Sequence, residues 1–245
     1  MDSNGGILAR VARILKTLAH SGAGLTATEM SRATTIPVST CHRILRALAE
    51  EDLLEIDTAY RYHPGLSLWE LGTTSPRSGQ IQQAALPFMR DLMHVSGFPV
   101  HLAVRDGLQA VFVEKMYPSG KVPERPHVGS HYPLHLTSVG LALLAHAPSS
   151  VQEQYLSSTL ERRTNLTVTD PHQIRRTLAD IRAQGFAISD RQVNETSISA
   201  AAPIKSADGR VVAALSVNTP HGVLRERTMA HAVQTTALSI SRAIS

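Results

Sequence analysis

Two hydrophobic periods divide this chain. Through about position 70, apolar side chains recur every three to four residues, the spacing of amphipathic helices. Beyond it, runs that alternate every second residue, as strands do, are interleaved with further helical stretches. Leu8, Val11, Ile14, Leu15 and Leu18 form one stripe over Ile7–Ala19, with Arg10, Arg13 and Lys16 opposite; Gly22 and Gly24 end that helix. Thr26-Ala27-Thr28-Glu29 is a capping box that opens a second helix reaching about Ala33. Pro37 suits the first turn of a third helix, where its missing N–H is no loss, and this helix runs to about Ala49. It should bury Val38, Cys41, Ile44, Leu45 and Leu48 and turn Ser39, Thr40, His42, Arg43 and Arg46 outward. Leu53–Asp57 and Tyr60–His63 predict two short strands about a Thr58-Ala59 turn, followed by a short helix at Leu66, Trp69 and Glu70.

Thr73-Thr74-Ser75-Pro76-Arg77-Ser78-Gly79, rich in breakers and poor in apolar side chains, reads as a linker. A helix over Gln80–Val95 follows it. Pro99–Arg105 and Gln109–Lys115 alternate and meet at Asp106-Gly107-Leu108, a hairpin signal. The same signal returns where Ala200–Lys205 and Val211–Asn218 flank Ala207-Asp208-Gly209. Helices are expected at Ser138–His146, Ser149–Ser157 and Pro171–Gln184, an extended stretch at Phe186–Ser189, and a last helix from about Leu224 to Ile244. The Pro- and His-rich stretch from Pro118 to Pro133 shows no period. Hairpins interleaved with helices, without a run of βαβ units, predict an α+β domain with a mostly antiparallel sheet.

At 245 residues the chain is long enough for two domains, and 42% hydrophobic residues suffice for their cores. Those cores must be aliphatic, since only 4% of the residues are aromatic. The single cysteine, Cys41, excludes an intramolecular disulfide and fits a reducing compartment. Its place on an apolar stripe makes it a core residue rather than a redox sensor. No apolar run reaches the roughly 18 residues of a spanning helix, so a cytoplasmic protein without a membrane partner is expected. The net charge of +4 suggests a polyanionic partner, but it is unevenly placed. Residues 1–49 carry a balance of +4 and residues 50–75 one of −5, so only the front of this segment is basic.

A helix, a capped helix, a tight turn and a third helix with polar and basic outward residues make a helix-turn-helix pattern. In such a unit the third helix presses its apolar stripe onto the first two and offers its other face to a major groove. Ser39 and Thr40 stand near its N-terminus, where hydroxyls and backbone N–H groups meet phosphate or base edges. Arg43 and Arg46, three apart, share a face, and arginine has the shape that reads guanine O6 and N7. Arg10, Arg13 and Arg61 suit the phosphate backbone instead. Two alternatives compete: an ordinary helical subdomain with solvated arginines, and a winged-helix module used for protein assembly without DNA reading. The acidic stretch after position 49 favours the second of these.

Leu25-Thr26-Ala27-Thr28-Glu29, followed by the run from Ile36 to Leu45, resembles the helix-turn-helix of IclR-family transcription regulators. The stretches Val100–Gly107, Pro133–Gly140, Gly185–Asp190, Ala201–Ile204 and Ala214–Val217 each resemble family blocks, in the family's order. The resemblance implies a winged helix-turn-helix over 1–74, a linker and linker helix over 75–96, and an effector-binding domain over 97–245 related to GAF/PAS-like α/β sandwiches. It also implies a ligand-responsive regulator that binds a palindromic double-stranded DNA operator as a homodimer or homotetramer, with no cofactor. Carried over by motif position, the pocket for a small organic effector comprises Gly129, Ser130, Ser189, Ser199, Ser216 and Asn218.

The chain departs from the family at Ser189, where an acidic residue is usual, at Ser199, where a cysteine is usual, and at Gln192, where an acidic residue is frequent. A pocket that lacks this carboxylate and keeps hydroxyls, an amide and the Gly129-Ser130 backbone donors suits an anionic or polar neutral ligand better than a cation. A small carboxylic acid or aromatic molecule is the expected effector. The bland alternative is that these serines close strand ends and turns. His127, His131 and His135 have a metal-like i, i+4, i+8 spacing only on a helix, which Gly129 and Pro133 forbid, so no metal is expected. The chain has no Gly-x-Ser-x-Gly elbow, His-Glu-x-x-His, strand-following Gly-x-Gly-x-x-Gly or P-loop, and no enzyme is expected.

Overall fold

The computed structural model describes residues 6–19, 21–74, 79–119, 128–223 and 226–244. The first stripe forms α1 (Ile7–Ala19), whose Ile14 and Leu18 share a core with Met30 of α2 (Ala27–Thr34) and Cys41, Ile44, Leu45 and Leu48 of α3 (Val38–Glu50). The capping box of α2 is complete: the Thr26 hydroxyl accepts the Glu29 N–H, and the Glu29 carboxylate accepts the Thr26 N–H. Arg13 donates to the Thr34 carbonyl and so closes the other end of α2. Val38, expected inside, is 46% exposed, and Leu8 is 80% exposed; each sits in the first turn of its helix, before the stripe reaches the core. β1 (Leu54–Ile56) and β2 (Tyr62–Pro64) form the expected antiparallel hairpin, and α4 (Leu66–Thr73) follows. The Asp57 carboxylate shapes the intervening turn by accepting the N–H groups of Ala59 and Arg61.

These elements make one compact unit, residues 1–75, and residues 76–245 make another. The expected linker residues 75–78, like His127 and Leu224, lie outside the described residues. The second unit begins with α5 (Gly79–Ser96), β3 (Val100–Asp106), β4 (Gln109–Met116) and β5 (His131–Pro133). Three helices come next, α6 (Ser138–Ala145), α7 (Ser149–Leu156) and α8 (Pro171–Gln184), and then β6 (Ala187–Asp190), β7 (Ser197–Lys205), β8 (Val211–Pro220) and α9 (Glu226–Ala243). The strands pair in the order β5-β4-β3-β8-β7-β6, all antiparallel, as the α+β reading expects. β5 was not foreseen: three residues ending in proline carry no period of their own and are strand only because β4 offers an edge.

The sheet has two differently built faces. Val100, Leu102, Val113, Leu215 and Val217 pack with Met89 and Leu92 of α5 and Val233 and Ile240 of α9. On the other face Ala103, Ala187, Ala201 and Ala214 are small, which lets α6 lie close. α6 is buried on every side, as its unbroken apolar sequence requires. The Thr137 hydroxyl caps it by accepting the Gly140 N–H. A side chain at Gly140 would strike the Leu134 carbonyl, backbone that cannot swing away. Gly140→Ala should therefore destabilise the protein by about 3 kcal/mol or more, as an overpacked core site that cannot relax. Urea unfolding followed by circular dichroism measures this, and a loss below about 1 kcal/mol would contradict the close approach of α6.

Candidate functional site

In the first unit, α3 exposes Ser39, His42, Arg43 and Arg46, with Thr40 half-buried among them. Arg46 reaches Glu50 at 3.3 Å, a solvent-exposed pair of little net strength that leaves the guanidinium exchangeable. The arginines expected on phosphate behave differently. Arg61 donates to the carbonyls of Ala23 and Gly24 and pairs with Glu29 at 2.9 Å, so it pins the α1–α2 turn to the hairpin. Arg13 is engaged at Thr34, and Arg10 is half-buried with its Nε lacking a partner among the described residues. No local pattern signals this role for Arg61, because its partners lie 32 or more residues away.

In the second unit, a cavity of about 460 Å³ lies on the face of the sheet that α6 covers. Every strand contributes in spatial order: Tyr132 from β5, Phe112 from β4, His101 from β3, Ser216 and Asn218 from β8, Ser197 and Ser199 from β7, and Ser189 from β6. The first turn of α6 and its cap supply Thr137, Ser138 and Val139, and the β6–β7 connection supplies Gln192, Val193 and Asn194. Four of the six residues expected from sequence, Ser189, Ser199, Ser216 and Asn218, thus come together. Gly129 and Ser130 are not among the lining residues. The Gly129 N–H donates to the Phe112 carbonyl and the Ser130 carbonyl accepts the Phe112 N–H, so they extend the β4–β5 ladder. The backbone donor expected of Gly129 is consumed there.

The polar groups of the cavity are oriented. Ser138 donates to Ser199 at 2.8 Å, and the buried Ser189 donates to the Leu136 carbonyl at 2.7 Å, so both hydroxyls tie the α6 segment to the sheet. The N–H groups that open a helix have no intrahelical acceptor, and Ser138 and Val139 of that first turn line the cavity. Such a helix end favours negative charge. No Asp, Glu, Lys or Arg lines the cavity among the described residues.

His101 is the lining residue that sequence reasoning missed most completely. It is 5% exposed, stands opposite Ser216 in the β3–β8 register, and its ring meets Phe112 edge-on at 5.6 Å. Burial, helped by the positive charge of Lys115, pushes its pKa down to about 3, so the imidazole is neutral. Its Nε2 has no hydrogen-bond partner among the described residues. Lys115 sits across from it on β4, with its ammonium 3.9 Å from the Phe112 ring centre and its pKa lowered to about 7 by burial. Strand alternation alone puts position 101 on the same face as Ala103; the pairing with Ser216 is what assigns it to the cavity. The other two described members of the suspected histidine trio are engaged elsewhere, His131 with Gln109, and His135 between the Tyr155 hydroxyl and the Glu161 carbonyl.

The low pKa of His101 gives stability a pH dependence of known sign. Between the ordinary value of 6.5 and about 3, the unfolded chain binds a proton at His101 that the folded chain refuses, so folding stability falls as pH falls through that window. The slope is about 1.4 kcal/mol per pH unit at most. His101→Leu should flatten this part of the profile, measured by urea titrations at pH 7, 6 and 5. An unchanged profile would mean that His101 is accessible to protons in the folded state.

Comparison with known proteins matches both units. Residues 7–58 match the IclR helix-turn-helix domain, and residues 74–242 match the bacterial transcriptional regulator IclR C-terminal domain. The chain is 32% identical over 223 residues to the HTH-type transcriptional regulator BhcR of Paracoccus denitrificans, covering 89% of this chain and 80% of that one. It is 31% identical over 243 residues to the HTH-type transcriptional repressor AllR of Klebsiella pneumoniae, covering 97% and 89%. Among solved structures, an IclR homolog from Microbacterium hydrocarbonoxydans complexed with 4-hydroxybenzoate aligns with a TM-score of 0.90 at 30% identity, over 98% of this chain and 99% of that one. These relatives are regulators rather than enzymes, and no helix among the described residues is long and apolar enough to cross a membrane. With a helix-turn-helix unit, an α/β effector-binding unit and matches that run through both, the chain belongs to the IclR family of transcriptional regulators.

Proposed function

We propose that this protein binds a palindromic operator as a homodimer or homotetramer, and that a small organic acid or aromatic molecule in the cavity changes that binding. Ser39, Thr40, His42, Arg43 and Arg46 of α3 read the major groove, and Arg10 lies on the phosphate backbone. The ligand half of this reading rests on one observation: a cavity of about 460 Å³ that is lined by hydroxyls, amides and the opening turn of a helix and, among the described residues, holds no carboxylate. Such a site accepts a carboxylate and rejects an ammonium group. The Microbacterium homolog is complexed with an aromatic acid of this class. Leu66, Trp69 and Leu71 of α4 stand more than 60% exposed, an apolar surface that a second copy would cover. Ligand acts only as far as its affinity differs between DNA-competent and incompetent arrangements of the oligomer.

Binding to the DNA upstream of its own gene, followed by fluorescence anisotropy at several salt concentrations, tests the reading. Specific binding should weaken with salt at a log–log slope of about −0.9 per phosphate contact, and one acid from a panel should shift it. Arg43→Ala should lose about 1–3 kcal/mol on the cognate site and relax preference at one position in each half-site, while binding to random DNA changes little. Binding no tighter than to random DNA at any salt would transfer the helix-turn-helix to a protein-assembly role.

A further inference from the structure

We infer that a cleft at the other end of the sheet is a second ligand site, which takes a small organic phosphate with its apolar body between the strands and its phosphate on Arg105 and Lys205. The cleft is separate from the cavity, although α6 reaches both. Ser138 and Val139 at the start of α6 line the cavity, whereas Leu143 near its end and the capping His146 line the cleft.

The cleft exists because the sheet divides. β3 and β8 pair from Val100↔Val217 to Ala103↔Ala214 and no further. Beyond that point β3 stays with β4 as far as Asp106, and β8, which begins at Val211, stays with β7. The two central strands therefore part like the arms of a Y. Each arm carries a register shift near the fork, between Leu102 and Ala103 in one hairpin and between Ile204 and Lys205 in the other. The N–H and C=O groups that face across the fork form open strand edges, which need a partner from water or from a ligand. A space of about 860 Å³ lies there. Ile81, Val104 and Val212 from the core on the α5 side reach it, as do Leu143 and Val211 from the core on the α6 side, so its floor is apolar.

Its rim is cationic. Arg105, Lys205 and Arg210 line it, and no Asp or Glu does among the described residues. Arg210 is committed to Asp208. Arg105 uses one guanidinium N–H on the Gly107 carbonyl and has others left to donate. Lys205 is exposed, with its backbone N–H tied to the Ser241 hydroxyl and its ammonium turned to no carboxylate among the described residues. Two available cations on opposite arms of the fork suit a group with more than one negative charge. A phosphate monoester carries roughly −1.5 to −2 at neutral pH and has three acceptor oxygens, enough for a guanidinium, an ammonium and an open strand N–H together. A carboxylate brings less charge and fewer oxygens. Inorganic phosphate satisfies the rim but leaves the apolar floor in contact with water.

Calorimetry on the full chain with hexyl phosphate, hexanoate and inorganic phosphate reads both halves of the site. Hexyl phosphate should bind about tenfold more tightly than hexanoate, through its charge and oxygens, and about tenfold more tightly than inorganic phosphate, through its chain. Arg105→Gln and Lys205→Gln should each weaken it about tenfold, the scale of one lost charge-assisted hydrogen bond, and Lys205→Arg should retain it. Arg176→Gln, which removes an exposed positive charge on α8 outside the cleft, should change nothing. No binding of hexyl phosphate to wild type, equal affinity for either of the other two anions, or cleft variants that lose no more than Arg176→Gln overturns the second site. Binding that survives both glutamine substitutions in the cleft places the phosphate elsewhere, the cavity included, and overturns it as well.

Discussion

Gly140 lies against the Leu134 carbonyl, and through that contact a helix with no exposed face is held tightly against the chain that leads into it. The first turn of α6 stands over the inner face of the sheet, where Ser138 meets Ser199 and Leu136 meets Ser189. The alanines beneath it bring the helix close, and the larger or polar residues on either side of them hold it off. The cavity is the space left between a helix end and a sheet whose inner face changes from small to polar along its strands and from polar to aromatic across them. Its shape is a consequence of packing, and its polarity follows from which strand carries which side chain.

The helix-turn-helix unit is organised by a similarly local constraint. Glu29 serves twice, as the reciprocal member of the α2 capping box and as the partner of Arg61, so one carboxylate fixes both the start of α2 and the attachment of the hairpin. Hydrogen bonds from Thr26 and the Arg61 charge hold its pKa below the usual range, which keeps it an acceptor at neutral pH. Gly24 belongs to the same arrangement: its φ is 69°, and a side chain there would collide with the His63 imidazole. The arginines engaged in this scaffold are thereby separated in role from Arg43 and Arg46, whose stretch of α3 faces solvent.

What could be read from the sequence was what local chemistry decides. The α2 capping box, the glycine turn of the β3–β4 hairpin and the apolar stripe of α3 lie within a few residues of one another, and each was placed within a residue or two. The stripe failed at its ends, Leu8 and Val38, because periodicity assigns a face but not how far the neighbouring elements extend over it. β5 was invisible because its strand character belongs to the edge of β4. In the cavity, Ser189, Ser199, Ser216 and Asn218 were found only through resemblance to a family. His101 needed the register of β3 with β8, more than a hundred residues away, and Ser138 its contact with Ser199, 61 residues away, and no local spacing in the chain encodes either.

Ser189 shows how the identity of a cavity side chain is bound to the local hydrogen bonds. Its hydroxyl donates to the Leu136 carbonyl in a buried setting. An ionised carboxylate in its place could only accept, and two acceptors would then face each other without a proton between them. The serine therefore suits the Leu136 carbonyl. It also places no negative charge near the first turn of α6, where a carboxylate would neutralise the positive end of the helix dipole. With His101 held neutral by burial and no charged side chain lining the cavity among the described residues, the first turn of α6 is the feature of its wall that favours negative charge. In a site shielded from water such a preference is felt more strongly than it would be at the surface.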